Sequence, residues 1–198
     1  MANTTTATKA SARKRRADAD RSVASILDAA LEALASDPDS SMSEIARRAG
    51  VVRATVYVHF PTRTDLLDAV MDYAVGMVVE AMKSAEPQRG EPVEALERVL
   101  RATWRQLGQF HGLLALNMAR LSAEELHRRH RPMLDQLEPL IQRGQKKGVF
   151  RRDLPVVWHL AVLRAIVHAA STEIRGGRLP ESEAEAAMLS TAISAISP

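Results

Sequence analysis

Residues 41–60 read SMSEIARRAGVVRATVYVHF. The string has the form of two short helices joined by a tight turn. Ser41-Met42-Ser43-Glu44 carries the S-x-x-E pattern of a capping box, in which the serine oxygen accepts from the backbone N–H of Glu44 and the glutamate reaches back. The helix it opens ends near Ala49, where Gly50 supplies a left-handed turn that a Cβ would oppose. A second helix follows from about Val52 to His59, and Pro61 stops it. Ala46 must be small because the second helix crosses over it. Ile45, Ala49, Val51 and Val56 are expected to close a small core between the two. Size, conformation and spacing are thus constrained together, which is the demand of a helix-turn-helix.

The second helix then shows what it leaves outside. Val56 faces inward and Phe60 packs under the next element, so Arg53, Thr55, Tyr57 and His59 remain as donors toward a partner. Hydroxyl and imidazole groups suit phosphate oxygens, and an arginine near the helix N-terminus reaches a guanine edge. A DNA-reading helix lies in the major groove with its N-terminal residues over the bases.

Outward from this stretch the chain reads as helices. Val23, Ile26, Leu27, Ala30, Leu31 and Leu34 fall three and four apart, predicting a first helix near Asp20–Ala35. Residues 1–17 lack periodicity and are expected to form a disordered basic arm. Thr62-Arg63-Thr64-Asp65 is a second capping pattern and opens a helix reaching about Lys83. Beyond a loop over 84–92, helices are expected near 92–110, 112–130, 132–147, 154–175 and 181–196, with Pro132 in a first turn. The organisation expected is an arm at 1–17, a helix-turn-helix domain at 18–64 and a helical domain at 65–198.

Composition agrees with an all-α chain. Hydrophobic residues make up 46% of the 198, enough for a core, while aromatics are only 4% and alanine, leucine, glutamate and arginine abound. Cysteine is absent, which excludes disulfides, zinc-thiolate sites and thiol nucleophiles. No run of about 18 uncharged apolar residues appears, so no membrane span is expected, and the polar start is not a secretory signal. The expected compartment is the cytoplasm, and no cofactor is expected. The net charge of +3 is placed locally. Lys9, Arg13, Lys14, Arg15, Arg16 and Arg21 outnumber Asp18 and Asp20 near the start, and Arg47, Arg48, Arg53 and Arg63 outnumber Glu44 across the motif. Two such patches suit a polyanion. An enzyme would need a phosphate loop, a carboxylate pair or a nucleophile motif, and none is present. A helical interaction module without DNA binding is the alternative, kept open by the overall neutrality of residues 1–72.

Residues 21–72 resemble the N-terminal domain of the tetracycline-repressor (TetR) family. The resemblance rests on Ile26-Leu27-Asp28-Ala29-Ala30, Glu44-Ile45-Ala46, Ala49-Gly50-Val51, Thr55-Val56-Tyr57, His59-Phe60-Pro61 and Leu66-Leu67. It implies an all-helical homodimer. Each subunit would pair a three-helix DNA-binding domain with a helical ligand-binding and dimerisation domain. By this resemblance Thr55, Tyr57, His59 and Arg63 hold phosphates, and Arg53 and Ala54 lie nearest the bases. Ser41 and the arm residues Lys14, Arg15 and Arg16 complete the DNA-facing set. Two positions depart from the family pattern: Val52 stands where a serine or threonine commonly caps the recognition helix, and Ala54 replaces a frequent glycine.

The same resemblance implies a ligand-responsive regulator, most often a repressor, that leaves a pseudo-palindromic DNA operator when a small-molecule effector binds. The effector pocket is expected among the C-terminal helices, with Trp104, Leu107, Phe110, His111, Leu114, Asn117, Met118, Met133, Gln136, Leu137, Trp158, Leu163 and Val167 as candidate walls. His127 and His130 have ligand-like spacing, but Arg128, Arg129 and Arg131 oppose a cation, so no metal site is assigned. His168 reads as a core or interface histidine. The last two helices carry Ala161, Ala165, Ala169, Ala170, Ala187, Ala192 and Ala195, and are expected to pair with their symmetry mates.

Overall fold

The computed structural model describes residues 3–108 and 121–198, with side chains placed from residue 19 onward except at Ala123. Among these the ordered elements are helices: α1 Asn3–Ser36, α2 Met42–Arg48, α3 Arg53–His59, α4 Arg63–Ser84, α5 Pro92–Gly108, α6 Ala123–Lys147, α7 Val156–Arg175 and α8 Glu181–Ile196. The chain divides into two compact units, Met1–Met71 and Asp72–Pro198.

In the first unit α2 packs on both α1 and α3. Ile26, Ala30 and Leu34 of α1, Ile45 and Ala46 of α2, and Val56 of α3 are buried, as are Phe60 and Leu66. The stripe expected on α1 is therefore its core face. The start of that helix differs from expectation. Its backbone begins at Asn3, so residues expected as an irregular arm continue α1, in keeping with the high helix propensity of their Ala, Lys and Arg residues.

The loop before α2 is short and held from both sides. The Ser40 hydroxyl donates to the Ala33 carbonyl at 3.2 Å, and Arg63 donates to the Pro38 carbonyl at 2.7 Å and to the Ser40 carbonyl. The box at α4 is reciprocal. Asp65 accepts from the Thr62 N–H at 2.9 Å, while its own N–H donates to the Thr62 hydroxyl at 3.1 Å.

In the second unit α5, α6, α7 and α8 close a ring: α5 packs on α6, α6 on α7, α7 on α8 and α8 on α5. Leu96 and Leu100, Leu140 and Ile141, Leu163, and Met188 and Ile196 meet in its core, joined by Val78 and Met82 from the end of α4. One boundary is corrected here. Helices were expected over 112–130 and 132–147, the earlier part of which lies outside the described residues. Instead α6 runs unbroken from Ala123, with Pro132 and Pro139 inside it. Its start is set by a signal that the sequence reading passed over. Ser122 accepts from the Glu125 N–H at 3.1 Å, in the same S-x-x-E spacing as Ser41 and Glu44.

The turn after α6 depends on a close approach. Phe150 is fully buried, and a Cβ built on Gly144 would overlap its ring. Gly144→Ala therefore forces the ring or the helix to move. We expect a loss of about 1–3 kcal/mol, read as a lower denaturant midpoint for the helical unit; an unchanged midpoint would contradict this packing.

Candidate nucleic-acid interface and effector cavity

The turn between α2 and α3 is fixed at three points. Gly50 has φ +68°. The Val51 N–H donates to the Ala46 carbonyl at 3.0 Å, and the Ser25 hydroxyl of α1 donates to the Ala49 carbonyl at 3.0 Å. Val56 is fully buried, and Ala46 is 2% exposed beneath the crossing helix. Ala49 and Val51, expected in the same small core, are half-buried.

Everything else on α3 faces outward or lies at the edge. Arg53, Ala54, Tyr57 and Val58 are exposed, with Thr55 and His59 half-buried. The Arg53 guanidinium lies over the Tyr57 ring, 5.2 Å from its centroid, and donates to the phenol oxygen at 3.2 Å. This pair pre-shapes the exposed face and keeps a cation near the start of the helix. As the sequence suggested, Val52 is the N-cap and offers no side-chain hydrogen bond.

The basic side chains around the motif have partners that the sequence count does not show. Glu44 was expected to reach back to Ser41, but it accepts from Arg47 Nε at 2.9 Å and from Arg48 Nε at 2.9 Å instead. Only the serine half of the box forms, with Ser41 accepting from the Glu44 N–H at 3.2 Å. The hydrogen bonds from Arg47 and then Arg48 hold the Glu44 carboxyl down to a pKa of about 2. Arg63, expected to hold a phosphate, is engaged by the Pro38 and Ser40 carbonyls, so its visible work is to fasten the α1–α2 loop to the head of α4. The side chains of Lys14, Arg15 and Arg16 lie outside those described.

Within the second unit a cavity of about 70 Å³ opens between α5, α6 and α7. Of the expected wall residues, Leu107, Met133, Leu137, Leu163 and Val167 line it. Trp104 is buried in the helical core but does not face this cavity. Gln136 is half-buried away from it, and Trp158 is 55% exposed on α7, so neither is a wall. Phe110, His111, Leu114, Asn117 and Met118 lie outside the described residues.

The sequence reading missed the polar part of the wall: Thr103, His130, Arg164 and His168. The His130 and His168 ring centroids are 5.7 Å apart. His130 Nδ1 pairs with the Leu126 carbonyl at 2.7 Å, which makes that nitrogen the donor. Burial, followed by the nearby His130 and Arg164, pushes the His168 pKa down to about 4. His130 is lowered as well, chiefly by burial. Both rings are therefore neutral at pH 7, and Arg164 carries the charge. His127 is exposed while His130 is buried; among the described residues no three metal-ligating side chains cluster.

These features define a helix-turn-helix unit joined to a helical unit with an internal cavity, the architecture of a one-component DNA-binding regulator. The comparisons with known proteins give the family. The profile of bacterial regulatory proteins of the tetR family matches residues 26–70. That of the tetracyclin repressor-like C-terminal domain matches residues 92–196, more than half of the chain. The chain belongs to the TetR family of transcriptional regulators and is not an enzyme.

It is 40% identical to the transcriptional repressor LfrR of Mycolicibacterium smegmatis over 81 residues, spanning 41% of this chain and 43% of that protein. It is 26% identical to the transcriptional regulator NfxB of Pseudomonas aeruginosa over 159 residues, 79% of this chain and 84% of that one. The crystal structure of LfrR in complex with proflavine superposes with a TM-score of 0.72 at 27% identity, covering 90% of this chain and 98% of that one. No helix among the described residues is long and apolar enough to cross a membrane.

The uncapped recognition helix gives a direct test. Val52 is 70% exposed, so Val52→Ser sacrifices little packing and supplies a side-chain acceptor to the first turn of α3. We expect the unit to gain about 0.5–2 kcal/mol, seen as a higher melting temperature. A neutral or destabilising result would mean that α3 is already fully ordered at its start.

Proposed function

We propose that this regulator is a repressor that binds a pseudo-palindromic DNA operator as a homodimer and leaves it when a small-molecule effector enters the helical unit. The observation that carries the DNA-binding half is α3 itself. It buries Val56 alone and holds Arg53, Ala54 and Tyr57 outward on a turn whose geometry is tightly fixed. Arg53 and Ala54 lie nearest the bases. Thr55, Tyr57 and His59 meet phosphates, and the Ser41 hydroxyl, still free to donate while it caps α2, meets another. Lys14, Arg15 and Arg16 extend the contact toward an adjacent groove. Arg63 acts first as a fastener, and any phosphate contact is added to that role.

Dimerisation through α7 and α8 is supported by what α7 leaves open. Val157 is 67% exposed and Trp158 is 55% exposed, an unusual cost for a lone subunit and a natural anchor for a second copy. Small residues along both helices allow close approach.

Effector binding in the α5–α7 cavity is supported by its apolar walls with a few polar groups, and by Met82 of α4 among them. Helix α4 is continuous from Arg63 to Ser84, so displacing Met82 acts on the same rod that starts beside α3. The coupling is bounded by the effector's preference between the two states, about 1–3 kcal/mol in typical cases. LfrR, whose structure holds proflavine, gives a precedent for a ligand-bound relative of this fold.

Fluorescence anisotropy with the DNA upstream of its own gene is the test. Arg53→Ala is expected to cost about 1–3 kcal/mol of operator binding and to relax sequence preference. Deleting residues 1–17 is expected to flatten the salt dependence. Unchanged affinity in the first variant and an unchanged slope in the second would remove both assignments.

A further inference from the structure

Arg164 is half-buried within the helical unit. It lies on α7, one turn before His168, and among the described residues it makes no hydrogen bond or ion pair. Its side chain borders two spaces at once. One is the apolar cavity of about 70 Å³ described above. The other is a groove of about 260 Å³ between α6 and α7, walled by His127, Arg131 and Glu138. Leu134, Leu160 and Arg164 are common to both, so the arginine stands where the apolar interior gives way to the polar surface.

The carboxylates nearby do not neutralise it. Arg131 is paired with Asp135 at 2.7 Å and lies 3.8 Å from Glu138, and neither acid forms an ion pair with Arg164. A second group in the cavity is also unsatisfied. Thr103 is 8% exposed, and its hydroxyl has no partner among the described residues. A buried hydroxyl without a partner is costly unless a guest supplies one.

We propose that the effector is an amphiphile with a carboxylate head, its head held by Arg164 at the cavity mouth and its apolar body lying between α5, α6 and α7. This rests on the effector reading above and adds the ligand's chemical class. A guanidinium accepts a carboxylate through two parallel hydrogen bonds, and Thr103 offers a hydroxyl to a ligand oxygen. The same arrangement selects against cations. His130 and His168 are neutral and Arg164 is positive, so among the described wall residues no group balances an ammonium or an aromatic cation. The site therefore differs in charge preference from what the proflavine complex of LfrR would suggest.

Size sets the remaining requirement. An engineered apolar cavity that binds benzene measures about 150 Å³, so a chain of several carbons enters only as Met82 and Met133 swing aside. Both are unbranched and adapt readily.

The test uses three probes with one body and three heads: octanoate, 1-octanol and octylammonium, titrated calorimetrically into the full-length dimer at pH 7.5. Octanoate is expected to bind tightest, octanol more weakly and octylammonium weakest, and octanoate should release operator DNA. Arg164→Gln should weaken octanoate by roughly tenfold or more and leave octanol within about twofold, while Arg164→Lys should recover part of the loss. The wild-type ranking needs no variant, so a misfolded mutant does not remove the test. Equal or tighter binding of octylammonium, no binding of octanoate, or an octanoate affinity indifferent to Arg164→Gln would each overturn the proposal. Operator binding by the wild-type protein without ligand separates the two levels: if it persists while octanoate has no effect, only the charge assignment fails.

Discussion

The burial of Val56 against Ala46, across a turn that Gly50 permits, is the constraint on which the rest depends. A side chain larger than alanine at position 46 would lift α3 away, and a Cβ at position 50 would oppose its φ of +68°. With those conditions met, α3 has one rotational setting. Val56 points in, and Arg53, Ala54 and Tyr57 must point out. The exposed chemistry of the helix is thus a by-product of a packing decision made by three small or apolar residues. The Ser25–Ala49 hydrogen bond carries that decision to α1, so the reading surface is referenced to the whole unit.

The cations around this surface are placed by partners that the sequence does not announce. Arg47 and Arg48 share the Glu44 carboxylate, and Arg63 is engaged by two loop carbonyls. What remains turned outward on α3 is Arg53, braced on Tyr57. A cation held by a neighbouring side chain approaches the duplex in a defined place, so the geometry of individual contacts adds to the attraction that the net positive charge supplies.

Local signals were legible in the sequence because their physics is local. The caps at Ser41 and Thr62, the turn at Gly50 and the stripe on α1 each depend on residues a few positions apart, and all appear where expected. Long-range partnerships were not legible. Nothing near Arg63 announces that the Pro38 and Ser40 carbonyls will take its guanidinium. Pro132 looked like a helix start because prolines favour first turns, but the capping serine ten residues earlier outweighed it. In the effector cavity the error was of kind. Trp158 was read as a wall because it is large and apolar, yet its place on α7 leaves it outside. Arg164 was passed over, and His130 and His168 were weighed only as a metal ligand and as a core or interface histidine, because single polar residues on separate helices acquire meaning as a cavity wall only when α6 and α7 bring them together.

The central claim is that two copies of one outward-facing helix meet one face of a duplex. Hydroxyl-radical footprinting of the full-length protein on the DNA flanking its own gene tests it most directly. The account predicts protection in two symmetry-related half-sites on the same face, about one helical turn of 10 base pairs or a multiple apart. A single unpaired protected site, or uniform protection without sequence boundaries, would contradict it.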